Sequence, residues 1–231
     1  MKQFMVGSAF LMFISSMPAD ATNDHAISLA PAPQVQKIAF MTAFGDTLPP
    51  IGYVTFCREN RQECRPGRRF ADRIQLTAAK YQEIREVNDA VNTAVAPITD
   101  IELYGKPEVW SYPVDNKGDC EDYVLLKRKM LVERGYPEST LLITVVRDEN
   151  NEGHAILTVR TDKGDLVLDN KRREVMPWSE TPYTFVKRQS ERNPLVWISL
   201  LPPDTAPQTT VSASNRQYPP IPVIGNSNKA R

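Results

Sequence analysis

The chain is short of the side chains that most often carry chemistry, with two histidines and three cysteines among 231 residues. It also lacks net charge, because 28 lysines and arginines balance 28 aspartates and glutamates. No basic stripe with interleaved aromatic residues runs through it. Electrostatic binding to nucleic acid or anionic lipid normally needs an excess of positive charge. These absences argue against nucleic-acid binding.

Long apolar runs are also scarce. Near the start, Lys2 precedes a short apolar stretch at residues 4–14, and Ala19-Asp20-Ala21 has the small-x-small form of a cleavage site. The stretch is short for a transmembrane helix, and no second run of membrane length follows. We expect a signal peptide at residues 1–21, cleaved near Ala21, and no stable membrane insertion. An uncleaved anchor or a buried helix is the alternative.

The few cysteines and histidines differ in their surroundings. Cys57 and Cys64 are close enough to form a disulfide in an oxidising compartment, whereas two free thiols or a redox pair are the alternatives. Their spacing is wider than the C-x-x-C of redox motifs. Cys120 is then left unpaired. Because His25 lies in a segment rich in proline and alanine, His154 is the candidate base for Cys120.

Hydrophobic periodicity predicts two helices followed by strands. The helices are expected at residues 77–95 and from about 119 to 134, where Gly135 and Pro137 mark the end of the second. An irregular lobe is predicted at residues 47–67 and a connection at residues 99–117. Strands are predicted at residues 141–146, 154–159, 166–168, 183–187 and 196–200.

These elements predict the domain organisation. Residues 22–45 form a linker or peripheral segment, residues 46–201 form the folded domain, and residues 202–231 form a disordered, Pro-rich tail. Helices followed by an antiparallel sheet predict an α+β fold with the cysteine helix packed on the sheet.

Cys120 stands at the start of the second predicted helix, where free N–H groups and the helix dipole stabilise a thiolate. The alternative is a small buried apolar residue, but the neighbouring Asp119, Glu121 and Asp122 make a poor wall for an apolar core. We therefore interpret Cys120 as a nucleophile, with His154 as its base.

Asp169 is the candidate that orients His154. If a hairpin turns at Asp162-Lys163, residue 154 faces residue 171. Asp169 then lies diagonally from His154 on the same sheet face, with the two backbones roughly 7–8 Å apart. A bulge would exchange Asp169 with Asn170. The alternative is an edge-strand histidine that is satisfied elsewhere, beside an unrelated aspartate.

The acidic residues around Cys120 would raise the pKa of its thiol, so something should neutralise them. Asp119, Glu121 and Asp122 are hard oxygen ligands that suit calcium, and Asp115 and Asn116 are close in sequence. The alternative is a set of solvated acidic residues at a helix N-terminus, which are favourable there without a metal.

Three sequence blocks, in this order and spacing, resemble the bacterial transglutaminase-like cysteine proteinases, the LapG-like family of periplasmic proteases. The blocks are Gly-Asp-Cys-Glu-Asp-Tyr at 118–123, Gly-His-Ala-Ile-Leu-Thr-Val-Arg-Thr-Asp at 153–162 and Leu-Val-Leu-Asp-Asn at 166–170. The resemblance implies a papain-like, transglutaminase-like core in the periplasm, with Cys120 as nucleophile, His154 as general base and acid, and Asp169 as orienting acid.

The resemblance also implies a cofactor and partners. Asp119 and Glu121 match positions that bind calcium in members of the family. Known members cleave large, repetitive surface adhesins and so release biofilm cells, and an inner-membrane cyclic-di-GMP receptor sequesters the protease.

The expected chemistry is hydrolysis of a peptide bond through an acyl-enzyme. The Cys120 backbone N–H is a natural oxyanion donor; the Trp110 indole is a second candidate, although a core role is equally open to it. A transglutaminase-type acyl transferase would use the same triad. A non-catalytic, calcium-dependent interaction module is the third hypothesis.

Overall fold

The computed structural model describes residues 39–203. Helices occupy Ile51–Glu59 (α1), Ala78–Ala94 (α2), Asp100–Tyr104 (α3) and Cys120–Glu133 (α4). Strands occupy Asp46–Thr47 (β1), Ala96–Pro97 (β2), Lys117–Gly118 (β3), Leu141–Arg147 (β4), Gly153–Thr161 (β5), Gly164–Leu168 (β6), Met176–Pro177 (β7), Thr184–Gln189 (β8) and Trp197–Ser199 (β9).

The main sheet is antiparallel and has the strand order β1-β9-β8-β4-β5-β6-β7. β2 and β3 form a separate parallel pair. This mixture of helices with an antiparallel sheet confirms the predicted α+β class. None of the helices between residues 39 and 203 has the length and apolar character needed to cross a bilayer.

The predicted hairpin joins β5 to β6. Thr161 pairs with Gly164 across the turn, and Gly164 has a φ of 136°, which glycine adopts more readily than other residues. The register places Leu157 opposite Leu168. Continued along both strands, this register puts residue 154 opposite residue 171, as the sequence predicts.

The two predicted helices are present as α2 and α4. The side chain of Thr77 caps α2 by accepting a hydrogen bond from Lys80 N. α4 is followed by Gly135, whose φ of 89° is the left-handed conformation that ends many helices. α4 packs against both α2 and β5, so α2 and the sheet together hold α4 in place.

The apolar core lies on both faces of the sheet. The larger cluster fills the space between the sheet and the helices, with Ile84, Leu131 and Leu157 fully buried. A smaller cluster covers the other face and includes Ile156, Tyr183, Phe185 and Leu200.

The prediction of an irregular lobe at residues 47–67 was wrong, because this segment contains α1. Pro50 and Gly52 are turn-forming residues, and so they obscure the helical pattern. The helix is stabilised by tertiary contacts, since Tyr53 and Phe56 are almost fully buried. Cys57 near its end forms a disulfide with Cys64. The predicted connection at residues 99–117 likewise contains α3, which is capped by a reciprocal pair of hydrogen bonds between Thr99 and Glu102.

Three predictions fall largely outside the described residues: the signal peptide at 1–21, most of the linker at 22–45 and most of the tail at 202–231. Residues 39–45, at the end of the predicted linker, are bonded to the sheet. Met41 N donates to Asp165 Oδ2, and Phe44 N donates to Ser199 O.

Candidate active site

Cys120 is the first residue of α4 and is half-buried at the edge of a cleft of about 200 Å³. His154, the second residue of β5, lines the same cleft. The backbone N–H of the next residue, Ala155, hydrogen-bonds the Cys120 sulfur. The packing of α4 on β5 therefore brings the thiol and the imidazole to one site.

The ring of His154 is held from behind by Asp169. His154 Nε2 lies 2.8 Å from Asp169 Oδ1, and both side chains are almost fully buried. Since Nε2 is engaged by the carboxylate, Nδ1 is the ring nitrogen left to exchange a proton with a substrate or a thiol. Asp169, rather than Asn170, bonds the ring.

Asp169 is itself fixed by several donors. The Tyr183 hydroxyl donates to its Oδ2 at 2.5 Å, Lys171 N donates to its Oδ1, and Asn92 of α2 holds its backbone carbonyl. Burial alone would raise the pKa of Asp169, but the hydrogen bonds from His154 and Tyr183 and the charge of His154 hold it below its usual value. The carboxylate therefore stays ionised beside the imidazole.

The cysteine end of the site is strongly acidic. Cys120 Sγ donates to Glu121 Oε2 at 2.9 Å. Burial and the negative charge of Glu121 raise the pKa of Cys120 well above its usual value. Burial and Glu121 also raise the pKa of Asp119 to about 8. Without a compensating cation, this arrangement favours the neutral thiol over the reactive thiolate.

A second acidic group lies directly behind the cysteine. Oxygen atoms of Asp100, Asp119 and Asp122 all lie within 4.8 Å of one another. Asp119 Oδ1 and Asp122 Oδ2 are buried without a hydrogen-bond partner, and burial raises the pKa of Asp122 to about 7. Such unpaired carboxylate oxygens are costly unless a proton or a cation satisfies them.

These three aspartates fit a hard cation. All of their ligand atoms are carboxylate oxygens, which calcium prefers. The predicted pair Asp119 and Glu121 forms another group of potential ligands, but the third member of that group is the sulfur of Cys120, a poor ligand for calcium. The best oxygen set therefore extends inward from Asp119 to Asp122 and Asp100. Asp115 and Asn116, also considered from the sequence, are exposed and belong to neither described group.

Trp110 lines the cleft beside Cys120. Its indole Nε1 is buried and has no hydrogen-bond partner, so it is available as a donor. The ring also packs edge-on against Tyr53, with centroids 5.5 Å apart. The sequence left two roles open for Trp110, a core residue and a hydrogen-bond donor to the substrate. The structure gives it the contacts of the first and the free N–H needed for the second.

A profile of the family described as bacterial transglutaminase-like cysteine proteinase (BTLCP) matches residues 43–205. The chain belongs to this family. The proteinase is therefore a cysteine peptidase, and its substrates are proteins or peptides.

Solved structures of LapG from Legionella pneumophila resemble this proteinase. The structure described as calcium-bound LapG is 23% identical, with a TM-score of 0.46 over 55% of this chain and 73% of that one. A second LapG structure is 25% identical, with a TM-score of 0.45 over 54% of this chain and 71% of that one. A third, described as EGTA-treated, is 24% identical with a TM-score of 0.44 over 54% of this chain and 69% of that one. No curated protein matches the chain significantly.

Sequence reasoning missed two polar residues of the proteinase's site. Asp100 lies on α3, in a segment that was predicted to be a connection, and only the fold brings it to Asp119. Tyr183 begins a predicted strand, and an aromatic residue there is typical of any strand. Neither position carries a local sequence signal that would indicate a functional site.

Proposed function

We propose that this cysteine peptidase hydrolyses peptide bonds with Cys120 as nucleophile, His154 as general base and acid, and Asp169 as the group that orients the imidazole. The observation that carries the proposal is the shared cleft of Cys120 and His154, together with the 2.8 Å contact between His154 Nε2 and Asp169 Oδ1. In the described part of the chain Cys120 is the free cysteine.

The reaction proceeds through an acyl-enzyme. His154 takes the thiol proton, and the Cys120 thiolate attacks the substrate carbonyl carbon. The C–N bond then breaks as His154 gives that proton to the leaving amine, which leaves a thioester. Water loses a proton to His154 and attacks the thioester, and this releases the carboxylic acid and regenerates the thiol.

We propose two donors for the tetrahedral oxyanion. The backbone N–H of Cys120 is at the N-terminus of α4, where the helix dipole adds positive potential. The unpaired Nε1 of Trp110 is the second candidate. A substrate oxygen in this cleft would satisfy the indole N–H of Trp110.

Calcium is the metal that we propose for the acidic group. Asp119, Asp122 and Asp100 would hold it, and Glu121 is the further carboxylate nearby. Bound there, the ion would supply positive charge that offsets the carboxylates beside the nucleophile. The support for this proposal is the pair of buried, unpaired oxygens on Asp119 and Asp122.

The cellular role is proposed from the family resemblance of the sequence. An exported protease in the periplasm would cleave a large, repetitive surface adhesin, and an inner-membrane cyclic-di-GMP receptor would control its access to that substrate. The test is to delete the gene and to measure adhesin release and biofilm mass. Unchanged release and biomass would remove the adhesin from the proposal and leave the peptidase chemistry intact.

The catalytic proposal is tested with the full chain and its Cys120→Ala variant, incubated with a mixed peptide library and, separately, with a fluorescent amine. We expect new peptide N-termini from the wild-type protein only, and no hydrolysis above background from the variant. The variant should unfold at the wild-type temperature, because it removes one half-buried sulfur. Incorporation of the amine without new N-termini would instead support acyl transfer. Wild-type turnover by the variant would refute the assignment of Cys120.

A further inference from the structure

A narrow cavity lies apart from the catalytic cleft. It forms where the loop at residues 65–70 meets the end of β8, and its volume is about 30 Å³. Leu142 on β4 and Gln189 on β8 line this cavity, whereas the cleft lies further along the same two strands, at Val145 and Lys187. Among the described residues none lines both. The cavity is therefore distinct from the proposed peptidase site.

The cavity runs from the surface into the interior. Leu142 and Gln189 are almost fully buried, and the side chain of Arg128 on α4 is only 9% exposed. These residues form its inner end. Arg65 and Arg69 of the loop are exposed and stand at its mouth. Guanidinium groups are therefore present at both ends of the cavity.

The carboxylates that line the cavity already have partners. Glu138 accepts a hydrogen bond from Arg128 Nη2 at 3.1 Å. Glu191 accepts one from Arg188 Nη1 at 3.0 Å, and its other oxygen lies 3.6 Å from Arg160 Nη1. Neither carboxylate is thus available to balance the arginines at the mouth.

Three arginines that line the cavity have no counter-charge. Between residues 39 and 203 no aspartate or glutamate lies within ion-pair distance of Arg65, Arg69 or Arg192. The guanidinium of Arg192 lies over the ring of Phe70, with its Cζ 5.4 Å from the centroid. A single exposed arginine is ordinary, but here three of them surround one cavity. Their planar forks of N–H donors match a carboxylate.

The loop that carries two of these arginines is fixed at both ends. The disulfide between Cys57 and Cys64 precedes it directly. After the loop, Ser139 Oγ donates to Ala71 O at 2.8 Å and accepts from Ala71 N at 2.9 Å. A loop held in this way loses little conformational freedom when its arginines bind an anion.

The dimensions favour a carboxylate on a longer chain. A space of about 30 Å³ holds roughly two water molecules, and the two oxygens of an aspartate or glutamate fit it better than a tetrahedral phosphate does. A wider groove of about 410 Å³ adjoins the cavity, since Gly67, Arg69 and Glu138 line both. Arg68 and Val132 also line the groove. It gives room for the peptide backbone that carries the acidic side chain.

The segments of the chain outside the described residues are not acidic. Residues 204–231 contain Asp204 as their one acidic residue, against Arg216, Lys229 and Arg231. Residues 1–38 contain two lysines and two aspartates. Charge complementarity therefore indicates a different protein as the source of the acidic segment.

We propose that this cavity and the adjoining groove bind an acidic segment of a partner protein, with one Asp or Glu side chain of the partner inserted between Arg65, Arg69 and Arg192. The support is the set of unbalanced arginines around a cavity of carboxylate size. The proposal does not rest on the peptidase function, because no residue of the cavity belongs to the catalytic cleft.

The test measures the binding of two fluorescent peptides to the full chain carrying Cys120→Ala, so that the probes are not cleaved. One peptide of about twelve residues alternates Glu with Ala, and the other has Gln in place of every Glu. Fluorescence anisotropy at about 0.1 M salt should show that the Glu peptide binds about tenfold or more tightly than the Gln peptide.

A double variant, Arg65→Gln with Arg69→Gln, should weaken binding of the Glu peptide by about tenfold or more, because it removes two charged donors. The double variant Arg85→Gln with Arg147→Gln is the matched control. It removes the same charge from exposed positions that line neither the cavity nor the groove, and its affinity should stay within about twofold of the parent protein. Arg192→Gln should also weaken binding, and it provides an independent test if the loop variant fails to fold.

Equal affinities for the Glu and Gln peptides, or equal losses in the double variant and its control, would overturn the site. Displacement of the Glu peptide by a lower concentration of pyrophosphate or of a single-stranded oligonucleotide would replace the acidic segment by a phosphoryl ligand. A wild-type dimer that Arg65→Gln with Arg69→Gln dissociates would make a second copy of this chain the occupant and overturn the separate partner. None of these measurements uses hydrolysis, so their failure leaves the peptidase proposal unchanged.

Discussion

The thiol of Cys120 donates a hydrogen bond to the carboxylate of Glu121, the next residue in α4, at 2.9 Å. The proposed nucleophile is thus bonded to a negative charge, which opposes ionisation of the thiol, although the helix N-terminus favours it. The two influences can be separated experimentally because Glu121 can be neutralised without moving the helix.

Glu121→Gln should make Cys120 more reactive in protein kept free of metal by a chelator. Burial and the charge of Glu121 raise the thiol pKa, so removing that charge lowers the pKa and increases the thiolate fraction at neutral pH. We expect iodoacetamide to alkylate the variant about three- to tenfold faster at pH 7. The rate is measured by mass spectrometry between pH 6 and 10. Glu59→Gln is the control, because Glu59 is an exposed residue at the end of α1. An unchanged or slower rate in Glu121→Gln would show that burial, not Glu121, sets the thiol pKa.

Asp169→Asn should lower kcat by about a hundredfold or more, because an amide stabilises the imidazolium poorly and can hold the wrong tautomer.

Tyr183 is a positioning residue that acts through Asp169 Oδ2. Tyr183→Phe should cost about tenfold in kcat with little change in KM, because it removes one hydrogen bond from a buried carboxylate. Peptide hydrolysis is measured as a function of pH. In Tyr183→Phe the pKa of Asp169 rises, so activity should fall off at a higher pH on the acidic side. A Tyr183→Phe profile identical to that of the wild type would contradict the positioning role.

The hairpin carrying His154 and Asp169 was predictable from the sequence because its register is set locally. The turn at Asp162-Lys163 sets the pairing of β5 with β6, and the two-residue period of a strand then determines which side chains share a face. α4 was predictable for a similar reason, because its end is marked by Gly135 and Pro137.

The acidic group was only partly predictable. Asp119 and Asp122 are neighbours in one helix turn, so the sequence shows them together, whereas Asp100 comes from α3. Helix α1 was missed because its stability comes from contacts that are distant in sequence. Gln189 of β8, for example, donates to the Tyr53 hydroxyl at 2.7 Å. Local propensity carries no information about such a contact.

Chelation of calcium should suppress hydrolysis, and Asp122→Asn should weaken calcium binding by about tenfold or more. Asp122 contributes one of the buried unpaired oxygens, whereas its other oxygen accepts from Ser111 N. Binding is measured by calorimetry and by the calcium-induced rise in Tm. Asp115→Asn is the matched control, because Asp115 is exposed and lies outside the acidic groups. Full turnover in excess chelator, or equal affinities of Asp122→Asn and Asp115→Asn, would contradict this ligand set.

Lys127 should destabilise the fold at neutral pH. It is fully buried on α4, and its Nζ has no hydrogen-bond partner. Burial lowers its pKa to about 7, against a smaller opposing effect of Asp169. The unfolded chain therefore binds more protons than the folded protein between pH 7 and about 10.5. The destabilisation by Lys127 is therefore absent above the pKa that lysine has in the unfolded chain. It grows as the pH falls and is complete below the folded-state pKa of about 7.

Lys127→Met, which keeps the length of the side chain and removes its charge, should consequently stabilise the protein. The gain in free energy of unfolding should be about 4 kcal/mol at pH 7 and should decline to about 1 kcal/mol at pH 10. Urea denaturation of the full chain at several pH values, with the Cys57–Cys64 disulfide intact, measures the difference. Because other groups titrate equally in both proteins, only the pH dependence of the difference reports on Lys127. Lys129→Met is the control, since Lys129 is half-exposed on the same helix, and its effect should not vary in this way. If the stability difference between Lys127→Met and the wild type is constant from pH 7 to pH 10, Lys127 keeps its proton inside the folded protein and is stabilised there by a charge that compensates for its burial.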